Sequence, residues 1–157
     1  MILKAARFAN LFLAGMLTGN EFGGFVGFHP ALYRLPTEAH ANAEKEITAR
    51  FGKIMPPFMV ATIISFAPTL SLARDRCSFR LTLAGMLCYV AMLGVTFAGN
   101  MPANRRTLDL DPGSVSRDEF LSLRRRWDGF HAARKALNAA GLAFAILGAL
   151  SDARQEA

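Results

Sequence analysis

Arg124, Trp127, His131, Arg134 and Asn138 are separated by 3, 4, 3 and 4 positions. On one continuous helix that spacing puts all five on the same face. Two cations, an indole, an imidazole and an amide in one line make a binding or catalytic face, whereas a membrane anchor needs no such register. A lone buried histidine more often hydrogen-bonds structurally, and it is the set of five that points to chemistry. The line begins in the basic stretch "RRRWDGFHAARKALN" and ends at Asn138, beside the apolar run "AAGLAFAILGALS". An amide beside lipid is unfavourable, so this face should turn into the protein. Arg125, Arg126 and Lys135 fall off it and are placed to meet lipid headgroups.

A second candidate is Glu21, near an expected membrane boundary with Asn10 and Thr18 on a neighbouring face. A carboxylate at that depth must point into the protein or to water, which marks a functional candidate. The structural alternative is an ion pair with Arg105 or Arg134. Beside it, Gly15, Gly19, Gly23 and Gly27 recur every four residues. Such a stripe either lets another helix pack closely or offers a flat wall to a planar ligand, with Gly23 a substrate-contact candidate. His29 and His131 are expected on one membrane side, where the two could ligate haem or a metal. Pro30 directly after His29 and the lack of a third ligand weigh against this, and otherwise no cofactor is indicated. His40, in a polar stretch, is expected to be solvated.

These residues need apolar helices to carry them. The chain has 157 residues, 52% hydrophobic and 19% charged, with a mean hydropathy of +0.25. One domain over residues 1–157 and a membrane class follow. A spanning helix takes about 20 apolar residues, and four stretches approach this, at about 8–28, 54–73, 81–99 and 131–150. The expected fold is all-α: an integral membrane four-helix bundle, with an additional amphipathic helical segment before the fourth span. Residues 1–19 resemble a signal peptide but lack a convincing cleavage site, so they are read as part of the first helix. The stretch from His29 to Lys53 is expected to lie as an amphipathic helix on the membrane surface, and residues 100–117, with Pro102, Pro112 and Gly113, as irregular turns. Ser116 and Glu119 form a capping box that starts a helix near Arg117. No repeat or linker divides the chain.

The net charge of +6 gathers at the ends of apolar segments, where basic side chains reach lipid headgroups, and no nucleic-acid motif accompanies it. Membrane lipid and a hydrophobic small molecule are the expected partners, with a homo-oligomer or a membrane-complex subunit as further options and nucleic acid excluded. Cys77 and Cys88 match neither a disulfide framework nor a zinc spacing. An even number of spans puts both termini on one side, and the basic loop "RDRCSFR" with Lys4 and Arg7 assigns that side to the cytoplasm. The total count, with Arg154 on the terminal side, runs the other way. The tight loop is given the greater weight.

"GNMPANRRTLDLDP", followed by "LRRRWDGFHAARKALNAAGLAF", resembles the DUF1772 or anthrone oxygenase-like family of small four-helix membrane proteins. The match rests on Asn100, Pro102, Asn104, Trp127, His131 and Arg134, with "FHPAL" at His29 and Pro30 fitting as well, and it extends over nearly the whole chain. The resemblance implies oxidation of a planar aromatic, polyketide-type substrate by molecular oxygen, without an organic cofactor. It implies His131 as general base, and Arg134 and Asn104 stabilising an enolate oxygen. Glu21 would orient a histidine or serve as the alternative base, and Trp127 and the glycine stripe would sandwich the rings. His29, Asn100 and Asn138 complete the expected substrate contacts. The competing reading is a non-enzymatic membrane subunit, or a binder of lipid, quinone, pigment or haem. No nucleophile triad, phosphate-binding loop, metalloprotease motif or dinucleotide fingerprint favours an enzyme over it.

Overall fold

The computed structural model describes residues 1–153, and every regular element among them is helical. Helix α1 (Ile2–Gly23) passes through a π-helical turn (Gly24–Phe28) into α2 (His29–Leu32). Helix α3 (Thr37–Ile64) is followed after Ser65 by α4 (Phe66–Ser71). Helix α5 (Arg76–Val95) runs through a second π-helical turn (Thr96–Asn100) into α6 (Met101–Asp109), and α7 (Arg117–Ala153) is the last element among the described residues. Arg154, counted above with the terminal cations, lies outside the described residues.

Three stretches, Thr37–Ser71, Arg76–Asp109 and Arg117–Ser151, are long and apolar enough to cross a membrane. The N-terminal run is not among them, since Asn10, Asn20 and Glu21 dilute its apolar character. Two connections differ from expectation. Of the stretch from His29 to Lys53, His29–Leu32 is α2 and Thr37 to Lys53 forms the first part of α3 and continues into the apolar segment, so it is a wall of the structure and not a surface helix. Residues 101–109 are helical because Pro102 occupies the first turn, where its missing N–H leaves no bond unmade. The true turn is confined to residues 110–116, where Asp111 accepts from the Gly113 N–H at 3.2 Å and the Ser114 hydroxyl at 2.8 Å. The Ser116 cap is present, its hydroxyl accepting from the Glu119 N–H at 3.3 Å.

Both π-helical turns sit just before a proline, at Pro30 and Pro102. Proline in a running helix clashes with the carbonyl four residues earlier, and a π turn absorbs one extra residue and relieves the conflict. Each carries the pattern Phe-x-Gly-x-x-Pro, as Phe25 to Pro30 and Phe97 to Pro102. The first turn has a direct consequence for function. Glu21 and His29 are eight positions apart, which in an unbroken α-helix puts them about 80° apart around the axis. Absorbing one residue reduces the offset to about 20°, so both side chains face the interior.

The most extensive packing is α5 against α7. A Cβ at Gly85 would come within 2.9 Å of the Gly141 carbonyl oxygen, and one at Gly148 within 2.6 Å of the Thr82 hydroxyl. These glycines let the two backbones touch, the small-residue contact of membrane helices. The stripe of Gly15, Gly19, Gly23 and Gly27 is different, for none would meet another atom within 4 Å. Within the chain it packs no helix and walls no cavity. At the centre Phe66, Tyr89, Met92, Leu17 and Ala145 form the core, and the Tyr89 hydroxyl donates to the Ala14 carbonyl at 3.2 Å and meets the Thr18 hydroxyl at 3.0 Å.

Candidate active site

Above this core lies a cavity of about 430 Å³, enclosed by the end of α1, the middle of α3, α6 and the start of α7. Its polar groups include Glu21, His29, Glu44, Asn104, His131 and Arg134, with Lys53 and Arg105 also on its wall, and its apolar walls include Phe28, Phe51, Met55 and Met59. The five-residue face of α7 turns inward as its spacing requires: Arg124, His131, Arg134 and Asn138 are buried and Trp127 is half-buried. Arg125 and Arg126 are exposed, and the Lys135 ammonium lies 3.2 Å from the centre of the Phe25 ring.

Two carboxylates organise the polar groups. Glu21 meets Arg134 through Oε1, and its Oε2 lies 3.0 Å from His131 Nδ1. Glu44 Oε1 lies 3.1 Å from Arg124 Nη2, 3.4 Å from His29 Nδ1 and 3.5 Å from His40 Nε2. Each carboxylate thus lies beside an arginine of α7 and the Nδ1 of a cavity histidine. A buried charge persists only when paired in this way. His131 Nε2 is left without a hydrogen-bond partner in the protein.

Trp127 joins the two clusters. Its ring stacks on His131 with centroids 4.4 Å apart, lies 4.9 Å from His29, and has the Arg124 guanidinium 4.4 Å from its centre. Asn104 accepts from the Trp127 N–H at 2.7 Å, and Asn100 donates to the Trp127 carbonyl at 3.2 Å. His29 and His131 meet edge to face with centroids 5.6 Å apart. No group of three or more His, Cys, Asp or Glu residues among those described is arranged to hold a metal ion.

The second cluster reaches the outside through Tyr33, half exposed in the turn after α2, whose hydroxyl donates to Asp128. Partial burial and the adjacent carboxylate push its phenol up to about 12. Asp128 in turn lies 3.9 Å from Arg124.

The structure brings together Glu21, His29, Asn104, Trp127, His131 and Arg134 around one space. Three expected contacts do not line it. Gly23 faces outward and its neighbour Gly24 lines the cavity instead, Asn100 is fully buried behind Trp127, and Asn138 lies deeper, its carbonyl 3.5 Å from the Tyr89 hydroxyl. The expected sandwich of a ligand between Trp127 and the glycine stripe is therefore not formed. His40, expected in water, is 3% exposed and part of the Glu44 cluster. Glu44 itself was not anticipated. The available signal was the spacing of His40, Glu44 and Thr48 at intervals of four, which puts them on one helical face.

The anthrone oxygenase family model matches residues 46–144, from the wall of α3 through the length of α7 that carries Arg124 to Asn138. Glu21, His29 and Glu44 lie before the matched stretch. No curated protein and no solved structure matches the chain.

Proposed function

The chain belongs to the anthrone oxygenase family, and from that premise we propose that it is a membrane-embedded oxygenase converting a planar aromatic ring methylene to a ketone with molecular oxygen. The observation that carries this reading is the cavity itself: an imidazole on its wall, with a carboxylate oxygen 3.0 Å from Nδ1 and no hydrogen-bond partner at Nε2. A cavity of about 430 Å³ falls within the range of about 300–1,000 Å³ usual for small-molecule sites.

In the proposed reaction His131 Nε2 removes a proton from the methylene of an anthrone, where the resulting anion is delocalised over the rings. Glu21 holds the imidazole in the tautomer that leaves Nε2 free and stabilises the imidazolium once formed, as a carboxylate does for a catalytic histidine. The enolate oxygen is met by the amide nitrogen of Asn104, whose oxygen is already engaged by Trp127, and by the Arg134 guanidinium on the cavity wall. The anion transfers an electron to oxygen, the two radicals combine to a peroxide, and loss of water leaves the quinone. The overall balance is one anthrone and one O₂ giving one anthraquinone and one H₂O, with no further oxidant or cofactor. We further propose that the N-terminal run is a fourth span, making a four-helix bundle with both termini in the cytoplasm.

The test is oxygen uptake by the detergent-purified protein with emodin anthrone, together with an absorbance spectrum and metal analysis. One oxygen consumed per quinone formed, falling about 100-fold or more in His131→Ala, is the expected result. Unchanged turnover in His131→Ala would remove this reading. A Soret band or stoichiometric metal would make His29 and His131 ligands, and a copurifying membrane partner without any uptake would make the chain a subunit.

A further inference from the structure

Oxidising a ring methylene to a ketone removes two protons from the same carbon. The first leaves when the carbanion forms, and the second when the hydroperoxide breaks down. His131 can take the first and give it back to the peroxide, and the second C–H proton must then pass to a base as well. The cavity wall holds a second histidine in the same circumstances. His29 is buried, lines the cavity and turns its Nδ1 to a carboxylate, Glu44, at 3.4 Å, as His131 turns its own to Glu21 at 3.0 Å. Each carboxylate is backed by an arginine of α7, Arg124 for Glu44 and Arg134 for Glu21. Trp127 touches both imidazoles, which also meet each other edge to face. The π-helical turn before Pro30 is what brings His29 round to the face that Glu21 occupies.

We propose that the site has two bases, His131 for the first proton and His29 for the second, with Glu44 as the positioning residue of His29. This rests on the oxygenase reading above and deepens it. After the first proton moves to His131 and oxygen adds to the carbanion, the imidazolium returns that proton to the outer peroxide oxygen. His29 Nε2 then removes the remaining C–H proton. The C–H electron pair becomes the second bond of the new carbonyl, the O–O bond breaks, and the departing hydroxide leaves as water with the proton returned by His29. One imidazole is thereby reset before the other acts.

The experiment follows oxygen, quinone and hydroperoxide together in the purified protein, using emodin anthrone and its form dideuterated at the methylene. The unmodified protein should consume oxygen and form quinone in step, with no hydroperoxide building up. In His29→Gln, followed over a single turnover with protein in excess of substrate, the burst of oxygen consumption should persist while quinone formation falls about 100-fold. Hydroperoxide should then accumulate, and a primary isotope effect should appear on quinone formation. Glu44→Gln should show the same split more weakly, a pattern that a merely structural lesion does not produce. It also stands in for His29→Gln if that variant does not fold.

His131→Gln should lose oxygen uptake itself. Quinone keeping pace with oxygen in both His29→Gln and Glu44→Gln overturns the second base. So does a loss of oxygen uptake in folded His29→Gln equal to that in His131→Gln, which would make the two histidines one unit. Absence of uptake in the unmodified protein overturns the oxygenase reading itself, and the two-base proposal with it.

Discussion

Helix α7 behaves differently along its length. From Asn138 to Gly148 it lies against α5 so closely that Gly141 and Gly148 have no room for a side chain. From Arg124 to Arg134 it stands off α1 and α3 around a cavity. The backbone is the same continuous helix in both halves, so the difference resides in the side chains. Where both partners present glycine, serine or threonine, the backbones close to contact and exclude everything else. Where long charged side chains meet tip to tip, as Arg134 meets Glu21 and Arg124 meets Glu44, the helices are held a side chain's length apart and a space remains. The ion pairs thus define the cavity as much as they supply its chemistry.

The largest effect on this comparison should come from removing one carboxylate. Glu21→Ala leaves the Arg134 guanidinium, 6% exposed, without its counter-charge, a change that costs about 3–5 kcal/mol for a buried pair. The double variant Glu21→Ala/Arg134→Met should recover most of that loss, because the uncompensated charge is gone, while oxygen uptake remains abolished. Unfolding of the single and double variants in detergent measures it. Equal stability of the two would mean that this pair does not hold the polar half open.

A smaller effect, on the other half, should follow Gly85→Ala. The new methyl meets the Gly141 backbone oxygen, which cannot swing aside as a side-chain tip would. Overpacking of this kind costs about 1–3 kcal/mol. Oxygen uptake per folded molecule should be unchanged, since the contact lies on the seam and away from the cavity. Gly23→Ala, on the open stripe, should leave both quantities alone. Uptake falling in proportion to stability in Gly85→Ala would show that the two halves are not separable.

The residues that the sequence made legible were those whose signal is local. The 3, 4, 3, 4 spacing on α7 depends only on helical periodicity, and the buried face followed. The Ser116 cap is a contact between near neighbours and was equally readable. Pairing across helices was less so. Glu21 was offered Arg105 and Arg134 as partners, and only three-dimensional packing selects Arg134. The α3 wall was missed because its first turns are polar for a buried reason: His40, Glu44 and Thr48 face the site, not water. Composition alone cannot separate those two causes of polarity. The glycine stripe misled in the opposite sense, since periodicity shows a smooth face but not what, if anything, covers it. The π-helical turns were hidden by a proline rule that predicts a break, where the chain instead absorbed one residue and went on.

The smallest effect concerns where the second cluster meets the outside. Tyr33→Phe removes the hydroxyl that donates to Asp128 but keeps the ring, 5.0 Å from His40, in place. On a half-exposed site the loss should be under about 1 kcal/mol at neutral pH. Its pH dependence is the sharper readout. The phenol is pushed up to about 12 by partial burial and by Asp128, while an unfolded tyrosine titrates near about 10. A group whose pKa is raised by folding contributes fully below its unfolded value and loses that contribution as pH climbs through its folded value. The stability difference between the unmodified protein and Tyr33→Phe should therefore be flat up to about pH 10 and vanish toward about pH 12. A difference that grows over that interval would mean that the fold favours the phenolate. Arg124, and not Asp128, would then govern the edge of the second cluster.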